Sequence, residues 1–243
     1  MHTSRSASRT SESILGFLGR EDFLMRRFQT GFVACLVAMG WLAACGPNKA
    51  LWEPSPEMLS GAAPDSFVVE VETSEGTFHV AMYRAWSPLG VDRVYHLMGN
   101  NFYAGARFYR VLPGFVAQWG FSGDPALDSI WQARTIADEP TVESNLRGTV
   151  SFARAGRQTR SYTLFINLVD NERLDEAAAG GVVGYPPIGR IISGREVVDG
   201  FYAAYTENPP GQDSIAQLGN EYLRRSYPQL DSIVATRVIL EWP

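Results

Sequence analysis

Two runs early in the chain alternate apolar and polar side chains: Phe67-Val-Val-Glu-Val-Glu-Thr73 and Thr77-Phe-His-Val-Ala-Met-Tyr83. A period of two puts successive side chains on opposite faces of a strand, so each run offers one face to a core. Glu75-Gly76 between them supplies a tight turn, and the pair is predicted to be an antiparallel hairpin. Further short strand-like segments follow at 107–112 and 115–119, separated by Pro113-Gly114, and then at 148–153, 162–168, 188–192 and 233–240. Two helices interrupt them. Ser87-Pro88 opens the first, with Ser as the cap and Pro in the first turn, and Val91, Val94, Tyr95 and Met98 form its apolar face. Residues 196–205 read as the second. Many short strands with two helices predict a mainly β fold: a closed antiparallel barrel with helical caps.

The N-terminus reads as an address. Residues 1–24 are rich in Ser and Arg and show no period. Met25-Arg26-Arg27 then precedes an apolar run from Gly31 to Ala44, too short for a comfortable membrane span of about 20 residues. A short positive segment, an apolar core and small residues make a secretory signal. Met25 is the expected start, with residues 1–24 an untranslated upstream segment and residues 25–44 the signal peptide. The signal ends in Leu42-Ala43-Ala44-Cys45, which resembles a bacterial lipobox, so Cys45 is expected to be lipidated and to head the mature chain. Residues 45–64 carry Pro47, Pro54, Pro56 and Pro64 and read as a tether, leaving residues 65–243 as one domain. The expected location is outside the cytoplasm, anchored to the cell envelope through lipid.

Composition removes several classes of function. The formal charge is −5, which argues against nucleic acid as a partner, since a phosphate-backbone binder needs a basic face. Cys35 and Cys45 are the only cysteines, so the folded domain has neither a thiol nucleophile nor a cysteine-rich zinc site. His79 and His96 have no partner at metal spacing, and Asp138-Glu139 and Asp170-Asn171-Glu172 read as turn carboxylates. No metal and no cofactor are expected. There is no Gly-x-Ser-x-Gly elbow and no P-loop.

One continuous run carries the chemistry: Phe102-Tyr103-Ala-Gly-Ala-Arg-Phe108-Tyr-Arg110-Val-Leu-Pro-Gly-Phe115-Val-Ala-Gln118. It resembles the cyclophilin signature F-Y-x-G-x-x-F-H-R-V-I-P-G-F-x-x-Q, with Tyr109 where His is usual. The resemblance continues in order through Gly148-Thr-Val-Ser-Phe-Ala153-Arg154, Leu164-Phe165-Ile166-Asn167, Asp170-Asn171-Glu-Arg173-Leu174-Asp175 and the segment from Tyr185 to Gly194. It covers roughly residues 66–206 and a closing strand near 233–240. Residues 208–231 look like an extension found in some secreted bacterial relatives, and residues 176–184 are an insertion.

The resemblance implies a peptidyl-prolyl cis-trans isomerase on an eight-stranded closed barrel, acting as a monomer on proline-containing polypeptides and assisting the folding of extracytoplasmic proteins. It implies Arg110, Phe115, Gln118 and Phe165 as catalytic residues. Val116, Ala153, Arg154, Thr163, Leu174 and Tyr185 are the implied substrate-binding residues. Arg110 would face the prolyl nitrogen, Gln118 would orient Arg110 and bind substrate backbone, and the aromatic residues with Val116 and Leu174 would form the socket for the proline ring. The backbone at Ala153-Arg154 would pair with the peptide as an added strand. A barrel that holds proline peptides without turnover is the alternative; a cation at the prolyl nitrogen favours the enzyme. Three departures stand out: Thr163 replaces the family's Gln, Trp119 replaces Gly, and Arg173 replaces the Trp of cyclosporin-sensitive members.

Overall fold

The computed structural model describes residues 48–243. Helices α1 (Lys49–Trp52) and α2 (Pro56–Ser60) precede the opening hairpin of β1 (Ser66–Thr73) and β2 (Gly76–Tyr83). The hairpin register runs from Ser66 opposite Tyr83 to Thr73 opposite Gly76. Phe67, Val69 and Val71 are buried on one face, as the alternation requires. Helix α3 (Pro88–Gly99) leads to the short strands β3 (Arg110–Val111) and β4 (Val116–Trp119). Helix α4 (Pro125–Gln132) follows, then β5 (Thr149–Phe152), β6 (Leu164–Asn167) and α5 (Arg173–Glu176). A small hairpin, β7 (Ala178–Ala179) and β8 (Val182–Val183), occupies the insertion. The chain ends with β9 (Pro187–Ser193), α6 (Arg195–Asp199), α7 (Gln212–Ser226) and β10 (Ile233–Trp242).

Eight strands form one sheet in the order β10-β1-β2-β9-β5-β6-β4-β3, antiparallel at each ladder. The expectation of a closed barrel is corrected here, because no ladder joins β3 to β10. The two ends meet only at an isolated bridge between Arg107 and Ser232, flanked by hydrogen bonds such as Phe108 N–H to Asp231 O at 2.9 Å. The cause is local. Tyr109 N–H donates to Arg107 O at 2.9 Å, which folds the backbone onto itself and takes that donor out of reach of a neighbouring strand. The core inside the curved sheet is strongly aromatic: Phe67, Phe78, Phe102, Tyr103, Phe108, Trp119, Trp131 and Phe152 are all 2% exposed or less.

The helices also depart from expectation. α4 and α7 were not predicted, and the helix expected over 196–205 is only α6, stopped by Gly200. Ser87 does not cap α3 with its own side chain. Its hydroxyl donates to Glu139, whose carboxylate accepts from Leu89 N–H at 2.8 Å and Gly90 N–H at 3.2 Å. Glu139 therefore caps α3 from a distant loop, favourably placed for the helix dipole. Arg160, its side chain 1% exposed, neutralises that carboxylate at 2.9 Å.

The stretch 48–63, expected to hang free as part of a tether, packs on the domain. Leu51 is buried, and its carbonyl accepts from Trp131 Nε1 at 3.0 Å. Asn48 donates to Asn100 O at 3.1 Å, and Ala63 N–H donates to Asp92 at 2.8 Å. Pro56, which reads as linker punctuation in the sequence, here starts α2. The signal peptide and Cys45 lie outside the described residues. Among the described residues no helix is long and apolar enough to cross a membrane.

Candidate active site

The turn at Pro113-Gly114 sets up the site. Gly114 adopts φ 77, open to glycine, and Leu112 N–H donates to Val116 O at 2.9 Å. This folds β3 back on β4 with Arg110 opposite Gln118, and β6 adds Phe165 opposite Gln118 on the other side. Residues directly opposite one another project to the same face of a sheet, so the three side chains converge. Arg110 Nη1 donates to Gln118 Oε1 at 3.2 Å. The backbone of Phe115 is fixed by Leu168 N–H and Asn171 Nδ2, each donating to its carbonyl at 2.9 Å.

Val116, Phe165 and Leu174 form a buried cluster separate from the main core, with Phe115, Ala153 and Tyr185 packed around it. The cluster faces a cavity of about 280 Å³ lined by Arg110, Phe115, Val116, Gln118, Ala153, Arg154, Phe165, Leu174, Tyr185 and Gln212. The structure thus gathers all the expected catalytic and substrate-binding residues except Thr163. Thr163 lies in a neighbouring cavity of about 530 Å³ that shares Gln118, Ala153, Arg154 and Gln212 with the first. Its Cα stands against Gly120, where a Cβ would come within 2.6 Å of it.

The sequence reading missed Gln212. It comes from the first turn of α7, part of the stretch read as an extension. That helix is pinned by buried Ile215 and Leu223 and by Asn220, whose Nδ2 donates to Gly105 O at 2.9 Å. Arg173, marked as a departure, lies with its guanidinium 4.6 Å from the Phe115 ring centroid. Arg110 approaches the same ring at 6.0 Å.

The arrangement offers a fixed cation beside an apolar socket with a hydrogen-bonding amide between them. Among the described residues it offers no nucleophile–base pair: the two described histidines lie elsewhere, His79 against Ser193 and His96 against Trp131, where burial lowers the His96 pKa. Among the described residues no group of three or more His, Cys, Asp or Glu side chains is arranged to hold a metal ion.

Comparison with known proteins gives a consistent picture. Residues 68–220 match the family model described as cyclophilin type peptidyl-prolyl cis-trans isomerase/CLD. The chain is 33% identical over 156 residues to peptidyl-prolyl cis-trans isomerase A of Dickeya dadantii, covering 60% of this chain and 77% of that protein. It is 29% identical over 143 residues to a peptidyl-prolyl cis-trans isomerase of Acinetobacter baylyi, covering 58% and 75%. Among solved structures it resembles a Cryptosporidium parvum cyclophilin type peptidyl-prolyl cis-trans isomerase with a TM-score of 0.51. That match is at 19% identity, covers 72% of this chain and 98% of the other, and bears on the fold alone.

Proposed function

The chain belongs to the cyclophilin-type peptidyl-prolyl cis-trans isomerase family and is an isomerase of X–Pro bonds; from that premise we propose that Arg110 is its catalytic cation and that it works as a lipid-anchored folding helper outside the cytoplasm. The reaction breaks no bond. Amide resonance imposes a barrier of about 18–20 kcal/mol, and an unaided X–Pro bond turns over in tens to hundreds of seconds. A catalyst must hold the proline ring while the preceding carbonyl rotates and must favour the twisted state. In that state the prolyl nitrogen is pyramidal and regains its lone pair. A permanently protonated guanidinium aimed at it opposes resonance, and the planar donor fork keeps its direction.

The observation that carries this reading is the Arg110–Gln118 pair at 3.2 Å, opening onto the Phe115–Phe165 socket. Phe115, Val116, Phe165, Leu174 and Tyr185 hold the ring, Gln118 steers Arg110, and the backbone at Ala153-Arg154 receives the peptide as an added strand. The cellular setting rests on sequence: Arg26-Arg27, the apolar run to Ala44, and Leu42-Ala43-Ala44-Cys45 together make a lipoprotein signal.

A protease-coupled assay of a cis-prolyl peptide tests the assignment. Arg110→Ala is expected to lower kcat/KM at least tenfold, about 1.4 kcal/mol of transition-state stabilisation, with the fold retained. A folded variant that isomerises at the wild-type rate would sink the mechanism.

A further inference from the structure

Arg154 carries a burden that backbone pairing with a peptide does not explain. Its side chain is 1% exposed, yet Nε and Nη1 have no hydrogen-bond partner. Its guanidinium stacks 4.6 Å from the Tyr185 ring centroid, and Nη2 donates to Val182 O at 2.9 Å in the inserted hairpin. On its far side Asp138 Oδ1 stands at 4.0 Å from Nη1, while Asp138 Oδ2 accepts from Gln158 N–H at 2.9 Å. The cation is therefore wedged between the loop that follows α4, the β7–β8 hairpin and the pocket rim. Burying a guanidinium with unpaired donors is costly, and for stability alone an apolar chain of similar volume would serve better.

A second contact joins the same pieces independently. Gly180, at the hairpin tip with φ +56, lies against Gly156; a Cβ there would come within 2.6 Å of the Gly156 Cα. The hairpin is thus seated on the segment that carries Arg154. Tyr185 in turn lines the socket and meets Phe165 edge-on at 6.0 Å. Its backbone is held by Leu174 and Asn145, and the Arg154 guanidinium lies over its ring.

We propose that Arg154 is a positioning residue: its buried guanidinium clamps Tyr185 and the β7–β8 hairpin, and so sets the rim that grips the proline ring. This rests on reading that cavity as the prolyl site. Arg154 does not touch the rotating bond, so it acts on substrate affinity and leaves the rotation step to Arg110. Lysine cannot replace it, because an ammonium has no planar face to lay on Tyr185.

The test is steady-state isomerisation of a short peptide with one X–Pro bond, resolved into KM and kcat, together with thermal unfolding. Arg154→Met is expected to raise KM about tenfold with kcat within twofold and little change in Tm, and Arg154→Lys to raise KM similarly. In a Tyr185→Leu background, Arg154→Met should raise KM no further. Gly180→Ala, which lifts the hairpin tip, should move KM in the same direction and decides the matter if Arg154→Met does not fold. An unchanged KM in folded Arg154→Met, an undiminished rise in the Tyr185→Leu background, or an unchanged KM in Gly180→Ala would overturn the clamp. Phe115→Ala is the control: if it leaves KM untouched, the prolyl-site reading fails and the clamp with it. If only the Arg154 and Gly180 variants are silent, the clamp alone fails.

Discussion

Asp128 is buried at 1% exposure in α4, with Oδ1 accepting from Ser122 N–H at 2.8 Å and Oδ2 unpartnered. Loss of hydration pushes its pKa up to about 6. In the unfolded chain a carboxyl titrates near 3.9. Between those values the folded state keeps a proton that the unfolded state releases, so stability falls as pH rises from about 4 to about 6 and is level above that. Two pKa units correspond to roughly 2–3 kcal/mol. Asp128→Asn keeps an acceptor for Ser122 and removes the charge. It is expected to stabilise the protein by about 1–2 kcal/mol at pH 7.5 and by nothing at pH 4, read by urea unfolding at both. Arg173 offers a second test at this scale. Its guanidinium lies 4.6 Å from the Phe115 ring centroid, and the family resemblance aligns Arg173 with the Trp of cyclosporin-sensitive members. A flexible charged chain provides less apolar surface than that indole and must lose water to be covered. Cyclosporin should therefore inhibit weakly, and Arg173→Trp should lower its inhibition constant at least tenfold in a titration of isomerase activity. Nanomolar inhibition of the wild type would contradict this.

Among the elements, α7 depends on one residue. It is two helical segments joined at a kink, and Gly219 makes that kink at φ 59, ψ −149, a conformation that side chains resist. A Cβ there would strike the Gly123 carbonyl and lie 2.8 Å from Pro125 Cδ. Gly219→Ala is expected to cost about 3 kcal/mol or more in urea unfolding and to pull Gln212 away from the cavity. The same glycine explains why the helix was hidden in the sequence. Its buried apolar side chains, Ile215 and Leu223, lie on either side of a kink at Gly219, so no single helical period joins them. α4 left a signal that went unread, with Asp124 as N-cap and Pro125 in the first turn. The opening hairpin was legible because its period of two coincides with the buried face at Phe67, Val69 and Val71. The site was legible where it is local: Arg110, Phe115 and Gln118 share one run and one turn. Gln212 reaches the cavity from a remote helix, and Thr163 lines the neighbouring cavity, neither of which leaves a mark in sequence spacing.

At the scale of the whole molecule, the strap over 48–63 changes what an anchor would do. The prolines in that stretch suggest a loose tether, but Leu51, Trp131, Ala63 and Asp92 bind it to the domain. Only Gly46 and Pro47 separate Cys45 from Asn48. Three Cα–Cα steps span at most about 11 Å, so lipid on Cys45 would hold Asn48 that close to the headgroups. A single acyl chain gives marginal, reversible attachment, and stable anchoring needs a second signal, which further acyl chains on the same cysteine would supply. Cys45→Ser removes the acceptor thiol. The variant is expected to leave the membrane fraction, or to remain as an uncleaved precursor, while the purified domain isomerises short peptides at the wild-type rate because every pocket residue lies beyond Asn48. Fractionation, intact mass and the peptide assay on one preparation separate the outcomes. Lipid still carried by Cys45→Ser would refute the anchor, and lost peptide activity in the soluble variant would show that the lipidated segment supports the pocket.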